Sequence, residues 1–508
     1  MSLTQLTAAP PTPPAPQWRR LSPRMLLVHP VIEVGKALPA ILGAFLAGHS
    51  SGHDGSGSRW SLAIAGVVAA LSLLRWVTTR YRITPQQIQL RHGLLRRRTL
   101  AAPVSRVRTV DVTSHLLHRA LGLARVVIGT GTSDRKGRDR LVLDGLTAAT
   151  AAGLRAELLH RAPAVAPGAT VQPMQPEMQL AVLDRRWLRY APFTLTGAVT
   201  GLALLGVGWR VVTEGHVDVN RLGPYRAAAD RLGHWSLGVD IAVVTLAVVL
   251  FVAVASTLGY LLSFWNFRLT RHAGGTLHVS RGLLTSRATS IERRRLLGAE
   301  LSEPLLLRAA GGARCLAIAT GLRVGRGAER GGEILLPPAP RAEATRVAGA
   351  VLGTAGPFVA ALPKHPAAAR RRRVARAVGA LLLAAAISGL VAWAAGWSAW
   401  LLLVPAVLLG PAVALGLDRY SSLGHALVAG HLVTRFGSLV RRRSALAVDG
   451  IIGWNLRSSW FQRRLGLATL TATTAAGRQR YPVQDVGAQE AVRFAAECVP
   501  GLLTQFLA

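Results

Sequence analysis

The chain has 508 residues, half of them hydrophobic, with 60 basic against 24 acidic side chains and a mean hydropathy of +0.34. That apolar content is too high for a string of soluble domains and predicts membrane-spanning segments. The positive excess suits anionic lipid headgroups and the cytoplasmic flanks of spanning helices, and with no aromatic-interleaved basic groove no nucleic-acid partner is expected. Only Lys36, Lys136 and Lys364 are lysines, so the charge is carried by arginine. Cys315 and Cys498 lie far apart and in no CxxC spacing, which excludes a disulfide framework and a cysteine-based metal site.

In chain order, residues 1–24 begin MSLTQLTAAPPTPPAPQW and read as a disordered Pro-rich tail, since no basic stretch precedes an apolar one as in a signal peptide. Residues 25–78 are expected to form a first transmembrane hairpin. Its second leg has fourteen uncharged residues from Ser61 to Leu74, flanked by Arg59 and Arg75, which can snorkel. Its first leg carries Glu33 and Lys36, three apart on one helical face, where they pair or face the bundle. A second hairpin is expected over 187–266: Tyr190 to Trp209 and Ile241 to Trp265 are uncharged, with Glu214, Asp218 and Asp230 between them. Gly197 and Gly201 form a GxxxG that permits a close helix neighbour. The third hairpin, 374–418, is the plainest. Between Arg376 and Asp418 there are 41 residues with no Asp, Glu, Lys or Arg. One helix of that length would reach roughly 60 Å, about twice a bilayer core, so the chain must fold back near Gly396. Trp393, Trp397 and Trp400 fit an interfacial belt there.

After each hairpin comes a segment with one plan. The openings YRITPQQIQLRHGLL (81–95), FRLTRHAGGTLHVSRGLL (267–284) and YSSLGHALVAGHLVTRFGSLV (420–440) are short alternating runs between turn residues, the pattern of antiparallel strands. Gly93 to Gly122, Gly282 to Gly311 and Gly437 to Gly466 are each 29 apart. SHLLHRALGLARVVIGT (114–130) and SSWFQRRLGLATLTATT (458–474) share seven of seventeen residues, and SEPLLLRAAGGARCLAIAT (302–320) is the drifted middle copy. Each segment ends in a strand and an amphipathic helix, with Thr147 and Asp485 as expected N-caps.

A two-span hairpin followed by YRIT, GLL, SRVRTVDV, LLHRALGLARV and a last helix resembles the bacterial PH-like domain of YdbS/YdbT-type membrane proteins. DGIIGWNLRSSWFQRRLGLATLT matches that pattern as well. The resemblance implies three small antiparallel β-sandwiches or partly open barrels, each plugged by its C-terminal helix. They are expected at 79–162, at 267–355 (the divergent copy) and at 419–508, with a linker at 163–186 and a basic linker at 356–373. The fold class is thus an integral membrane α plus β protein with six transmembrane helices in three hairpins. Arginine-rich flanks place both termini and all three domains on the cytoplasmic side, and the resemblance implies that the membrane is the inner membrane of a bacterial cell.

Chemistry-bearing motifs are weak. GHSSG at 48–52 lacks the strand and helix that a nucleophile elbow needs. His49, His53 and Asp54 make a poor metal set in a Gly-Ser loop. GTGTSDRKGRDR at 129–140 lacks the P-loop GKS/T and reads as a turn between strands. No catalytic residue, metal ligand or cofactor is assigned. The candidate contacts for anionic lipid are three arginine triplets: Arg96, Arg97 and Arg98, then Arg293, Arg294 and Arg295 on the following strand, then Arg441, Arg442 and Arg443. Trp454, Trp460 and Phe461 are core or membrane-inserting; their counterparts Val110, Leu116 and Leu117 are also apolar, which favours core at Trp454. Ser114/Arg119 and Ser458/Arg463 read as a turn-and-cap arrangement. The resemblance implies a non-catalytic binding or scaffold module with a protein partner in the same membrane, in envelope homeostasis or resistance to antimicrobial compounds. The rival reading is a transporter or channel component whose pathway would involve Glu33 and Lys36.

Overall fold

A computed structural model describes residues 18–28, 76–93, 97–107, 109–129, 141–159, 178–194, 236–272, 275–321, 334–396 and 403–501, with scattered positions in 31–74 and 199–206. The chain divides into two compact units, Met1–Ala169 and Thr170–Ala508.

In the first unit, β1 (Arg19–Arg20), β2 (Arg80–Ile83), β3 (Gln87–His92) and β4 (Arg98–Pro103) form one antiparallel sheet. A second sheet contains β5 (Thr109–His115), β6 (Leu123–Gly129) and β7 (Leu141–Thr147), with the short helix α1 (Leu116–Ala120) between β5 and β6. Helix α2 (Ala148–Leu159) closes the domain, and its N-cap is Thr147 as expected: the Thr147 hydroxyl accepts from the Thr150 amide at 3.2 Å. Alternate residues Ile88, Leu90, Val110, Val126, Ile128, Leu141 and Leu143 point between the sheets and are buried, as period-two strands with one apolar face require. The Pro-rich tail ends earlier than the sequence suggests. Arg19 and Arg20 pair with β2, while Leu21 and Met25 are buried in the domain.

The second unit opens with β8 (Met178–Val182), in the stretch read as linker, which pairs with β9. A 3-10 helix over Arg185–Phe193 follows, with Trp187 and Ala191 in the domain core. Tyr190 is buried as well, so the apolar run beginning there serves the domain before it serves a span. Helix α3 (Leu237–Phe264) is long and apolar enough to cross a membrane. Gly201 lies against it: a Cβ there would be 3.2 Å from Val252 Cα, the close approach expected of the GxxxG; Gly197 is outside the described residues. Strands β9 (Arg268–Arg271), β10 (Leu277–Arg281) and β11 (Thr285–Ile291) continue the antiparallel sheet. Then come β12 (Leu296–Pro304), α4 (Leu305–Ala309), β13 (Gly312–Ala319), β14 (Ile334–Pro340) and the closing helix α5 (Arg341–Leu352). The plan is that of the first domain, so the drifted middle copy keeps the fold.

After α6 (Gly356–Val359), helices α7 (Ala367–Ala394) and α8 (Leu403–Ser421) pack as the third hairpin, and both are long and apolar enough to span. They approach closely at Gly416, where a Cβ would lie 2.8 Å from Val374 Cα. Of six expected spans, three helices of sufficient length and hydropathy are present among the described residues. The first hairpin, with Glu33 and Lys36, lies outside them except for scattered positions.

The third domain has β15 (Gly424–Val428), β16 (His431–Phe436) and β17 (Val440–Ala447) in one sheet. Its second sheet is β18 (Gly453–Arg457), β19 (Leu467–Thr473) and β20 (Arg480–Gly487), with α9 (Trp460–Arg464) after β18 and α10 (Ala488–Cys498) closing it. The six recurring glycines explain the 29-residue interval. Gly93, Gly282 and Gly437 have φ of 108°, 106° and 101°, while Gly122, Gly311 and Gly466 have 68°, 75° and 64°. A Cβ at Gly437 would sit 2.1 Å from the Val440 carbonyl oxygen, so this turn excludes any side chain.

One feature is invisible in the repeats taken singly. Strand β12 of the second domain pairs antiparallel with β17 of the third, from Gly298↔Leu446 to Pro304↔Val440. The result is a six-stranded sheet in the order β14-β13-β12-β17-β16-β15. Val433 and Ala445 of the third domain join the core of the second, and Ile318 of the second joins the core of the third. The two domains are one packed body.

Candidate anion-binding site at the hairpin base

The arginines of the third triplet are drawn into this seam. Arg442 donates to Glu300 at 3.0 Å, and Glu300 also accepts from the Ser444 hydroxyl at 2.9 Å. Burial pushes the Glu300 carboxyl up, opposed by Arg478, Ser444 and Arg314. Arg443 donates to the Pro357 and Ala360 carbonyls, and burial, reinforced by Arg435, pulls its guanidinium down to about 10. Arg441 donates to Asp418 at 3.1 Å. Asp418, at the end of α8, also accepts from Arg308 of α4 at 3.0 Å and from Ser438 at 2.6 Å. This triplet therefore joins the second domain, the third domain and the hairpin.

The other triplets sit differently. Arg97 is exposed just before β4, while Arg96 and the side chain of Arg98 are outside the described residues. Arg293, Arg294 and Arg295 form a 3-10 turn between β11 and β12, not part of a strand. There Arg293 and Arg294 are exposed, and Arg295 pairs with Glu292 at 3.0 Å.

A second polar knot fixes α7 to the third domain. Asp485 is fully buried, with a left-handed φ of 56°, and it is not the N-cap of α10, a position held by Gly487. Both Arg372 and Arg373 of α7 pair with its carboxylate, Arg373 Nε at 2.6 Å. Gln462 of α9 donates to the same carboxylate at 2.8 Å. Ser459 caps α9 in a capping box with Gln462, one residue after the serine expected to do so. In the first domain His118 holds the place of Gln462 and lies 3.4 Å from Asp144, while Gly145, with φ 88°, holds the place of Asp485; in the second domain Leu307 is buried in place of Gln462. Nearby, His365 and His425 are buried together, with Nδ1 of His425 3.0 Å from Nε2 of His365. Burial pulls both imidazoles down, His425 to about 4.

Beside this knot is a cavity of about 320 Å³ lined by Arg373, Arg376, Arg419 and Gln484. Arg373 and Arg376 come from the first turns of α7, Arg419 from the last turn of α8, and Gln484 from β20. Gln484 accepts from Arg373 at 2.9 Å, which directs its amide nitrogen elsewhere as a donor. Arg376 and Arg419 make no ion pair among the described residues. Three of the four lining side chains are guanidinium groups, which only donate, so the cavity favours an anion. In the sequence, Arg373 and Arg419 look only like basic flanks of the apolar stretch. The meeting of Arg373 with Gln484 depends on a fold that joins positions 111 residues apart.

The aromatic positions divide as well. Trp454 is half-buried against the third core, and Val110, its counterpart, is fully buried. Trp460 and Phe461 are 51% and 68% exposed, and their counterparts Leu116, Leu117, Leu305 and Leu306 are exposed too. Among the remaining motifs, residues 130–140 lie outside the described residues, between the paired strands β6 and β7. GHSSG, His49, His53 and Asp54 lie outside the described residues. No group of His, Cys, Asp and Glu suited to a metal occurs among the described residues.

The model of the bacterial PH domain family matches the chain three times, at residues 37–162, 227–353 and 373–499. These matches cover most of the chain, and it belongs to that family. No curated protein and no solved structure matches it. The third match begins at Arg373, so the whole cavity wall lies within it. Repeated bacterial PH domains suggest a binding or scaffold module, and three helices are apolar enough to cross a membrane.

Proposed function

We propose that the chain is a non-catalytic membrane protein of the YdbS/YdbT type. It presents three PH-like domains at the cytoplasmic face of a bacterial inner membrane and binds a protein partner in the same membrane. Its physiological place is envelope homeostasis or resistance to antimicrobial compounds. The observation that carries this reading is the rigid mounting of domains on helices. Asp485 and Asp418 tie α7 and α8 to the last two domains, and β12–β17 fuses those domains into one sheet. A module mounted in this way holds binding surfaces at a set height and orientation above the bilayer. The family match supports binding over chemistry, since PH domains are generally non-catalytic.

In-cell photocrosslinking tests it. A crosslinker at exposed Leu456 of β18, in the full chain, is expected to give one discrete adduct with another membrane protein. Loss of that adduct is expected when Glu300→Ala and Arg442→Ala loosen the seam. Reporter fusions after residues 160 and 360 should give cytoplasmic signals, and one after 225 an external signal; an external signal at 160 overturns the topology.

A further inference from the structure

The cavity at the base of the third hairpin has a defined depth as well as a defined charge. Arg376 is the last charged residue of α7 before its apolar stretch, and Asp418 and Arg419 are the first charged residues after that of α8. Above this level Leu382, Leu383, Val407 and Leu409 are exposed on the two helices, as lipid-facing side chains are. Below it lie the third domain and its polar knot. The cavity therefore lies where a bilayer places its phosphates.

The local charge is uncompensated. Arg372 and Arg373 share one carboxylate, Asp485, and Arg308 and Arg441 share another, Asp418. Arg376 and Arg419 add two guanidinium groups with no carboxylate of their own among the described residues. Arg376 is exposed and Arg419 half-buried, so both guanidinium groups are open to an anion arriving from outside. On the side of the domain, Gln484 accepts from Arg373 and holds that guanidinium at the wall. Helix α9 supplies a second, independent observation. It is held by Gln462 to the Asp485 carboxylate that anchors Arg373, and it exposes Trp460 and Phe461, with Arg464 stacked 3.9 Å over the Trp460 ring. An aromatic pair flanked by arginine is the composition of a membrane-interface anchor.

We infer that Arg373, Arg376, Arg419 and Gln484 bind the phosphodiester headgroup of an anionic phospholipid, whose acyl chains lie along α7 and α8, while Trp460 and Phe461 enter the interface beside it. The inference deepens the membrane-module reading and rests on α7 and α8 spanning the bilayer. It moves specific lipid contact from the triplet Arg441–Arg443, which the seam occupies, to a site formed jointly by hairpin and domain. The guanidinium groups offer paired donors to phosphate oxygens, and phosphatidylglycerol presents such a phosphodiester with its negative charge.

The test uses the full chain. Flotation with liposomes comes first, because failure to float would remove the membrane reading before any lipid is counted. Protein purified in mild detergent is then exposed to phosphatidylglycerol or phosphatidylcholine of equal chain length, and retained lipid is counted by native mass spectrometry. The wild type should retain one phosphatidylglycerol with at least a tenfold preference. R376A/R419A should lose that preference, and Q484L, which leaves both helices intact, should weaken it about threefold. R370A/R371A removes the same charge from exposed positions outside the cavity and should leave the preference unchanged. Equal losses in R376A/R419A and R370A/R371A, or unchanged retention in both R376A/R419A and Q484L, would overturn the site. Displacement of the lipid by millimolar inorganic phosphate would assign the cavity to free phosphate and overturn the lipid.

Discussion

Arg373 donates from Nε to the Asp485 carboxylate at 2.6 Å, joining the start of a helix long and apolar enough to cross a membrane to a fully buried acid 112 residues later. Arg372 shares that carboxylate, and Gln462 completes its shell. Removing the acid leaves two guanidinium groups half-buried and unpaired, a loss on the order of 3–5 kcal/mol for a buried pair broken from one side. D485N keeps the shape and tolerates the left-handed backbone, but it should still lower the melting temperature and expose residues 460–487 to limited proteolysis. D485A adds backbone strain and should be worse. A melting point within a degree of wild type for D485N would show that the carboxylate does not anchor α7.

Glu300 is the equivalent acid of the seam between the second and third domains. It is buried, accepts from Arg442 and Ser444, and lies 3.7 Å from Arg478. E300A and R442A should each destabilise, and the double mutant should cost less than their sum by about 1–3 kcal/mol, because each single change strands the other partner. A double-mutant cycle read by thermal unfolding of the detergent-solubilised chain gives the coupling. Strict additivity would mean that the sheet holds without this pair.

The histidine pair sets an acid limit. Both imidazoles titrate near 6.5 in the unfolded chain, whereas burial lowers them in the folded domain, His425 to about 4. The carboxylates of Asp485 and Glu490 raise His365, and Arg373 lowers it, without reversing the net direction. Below pH 6.5 the unfolded chain binds protons that the folded domain refuses. Stability from this pair is therefore complete above pH 6.5 and declines as pH falls toward 4, by up to about 3 kcal/mol for His425. H425F, which keeps the ring against Phe494, should flatten that decline in melting curves taken from pH 7.5 to 4.5. An unchanged slope would place the acid sensitivity elsewhere.

Local patterns made the skeleton of this fold readable. The 41 residues between Arg376 and Asp418 free of ordinary charged side chains compel a hairpin, and Gly437 and Gly466 punctuate turns that admit no other residue cheaply. What could not be read were pairings set by tertiary geometry. Arg441–Arg443 resemble any basic surface strand until β12 brings Glu300 alongside, 142 residues away from Arg442. Asp485 precedes a helix, as N-caps do, yet its backbone is left-handed and its side chain turns inward to Arg372 and Arg373. The acids of β12, Glu300 and Glu303, were the one available hint, because a strand with two carboxylates complements a strand with three arginines.

Gly298 and Gly453 allow that seam to be tested by comparison within one chain. They hold the same position in the repeat, thirteen residues before Gly311 and Gly466 respectively, near the start of β12 and β18. At Gly298 a Cβ would lie 2.0 Å from the Ala445 carbonyl oxygen, so β17 approaches the bare backbone. At Gly453 the nearest atom to such a Cβ is Thr473 Oγ1 at 3.4 Å, and among the described residues β18 has only β19 beside it in its sheet. G298A must push β12 and β17 apart, at about 2–3 kcal/mol, and should open the junction to protease near residues 297–304. G453A meets no such obstacle and should stay within about 0.5 kcal/mol of wild type. Equal effects would mean that the β12–β17 contact is not what makes Gly298 necessary. A silent G453A would leave β18 as a strand edge whose backbone can still be approached closely by another strand.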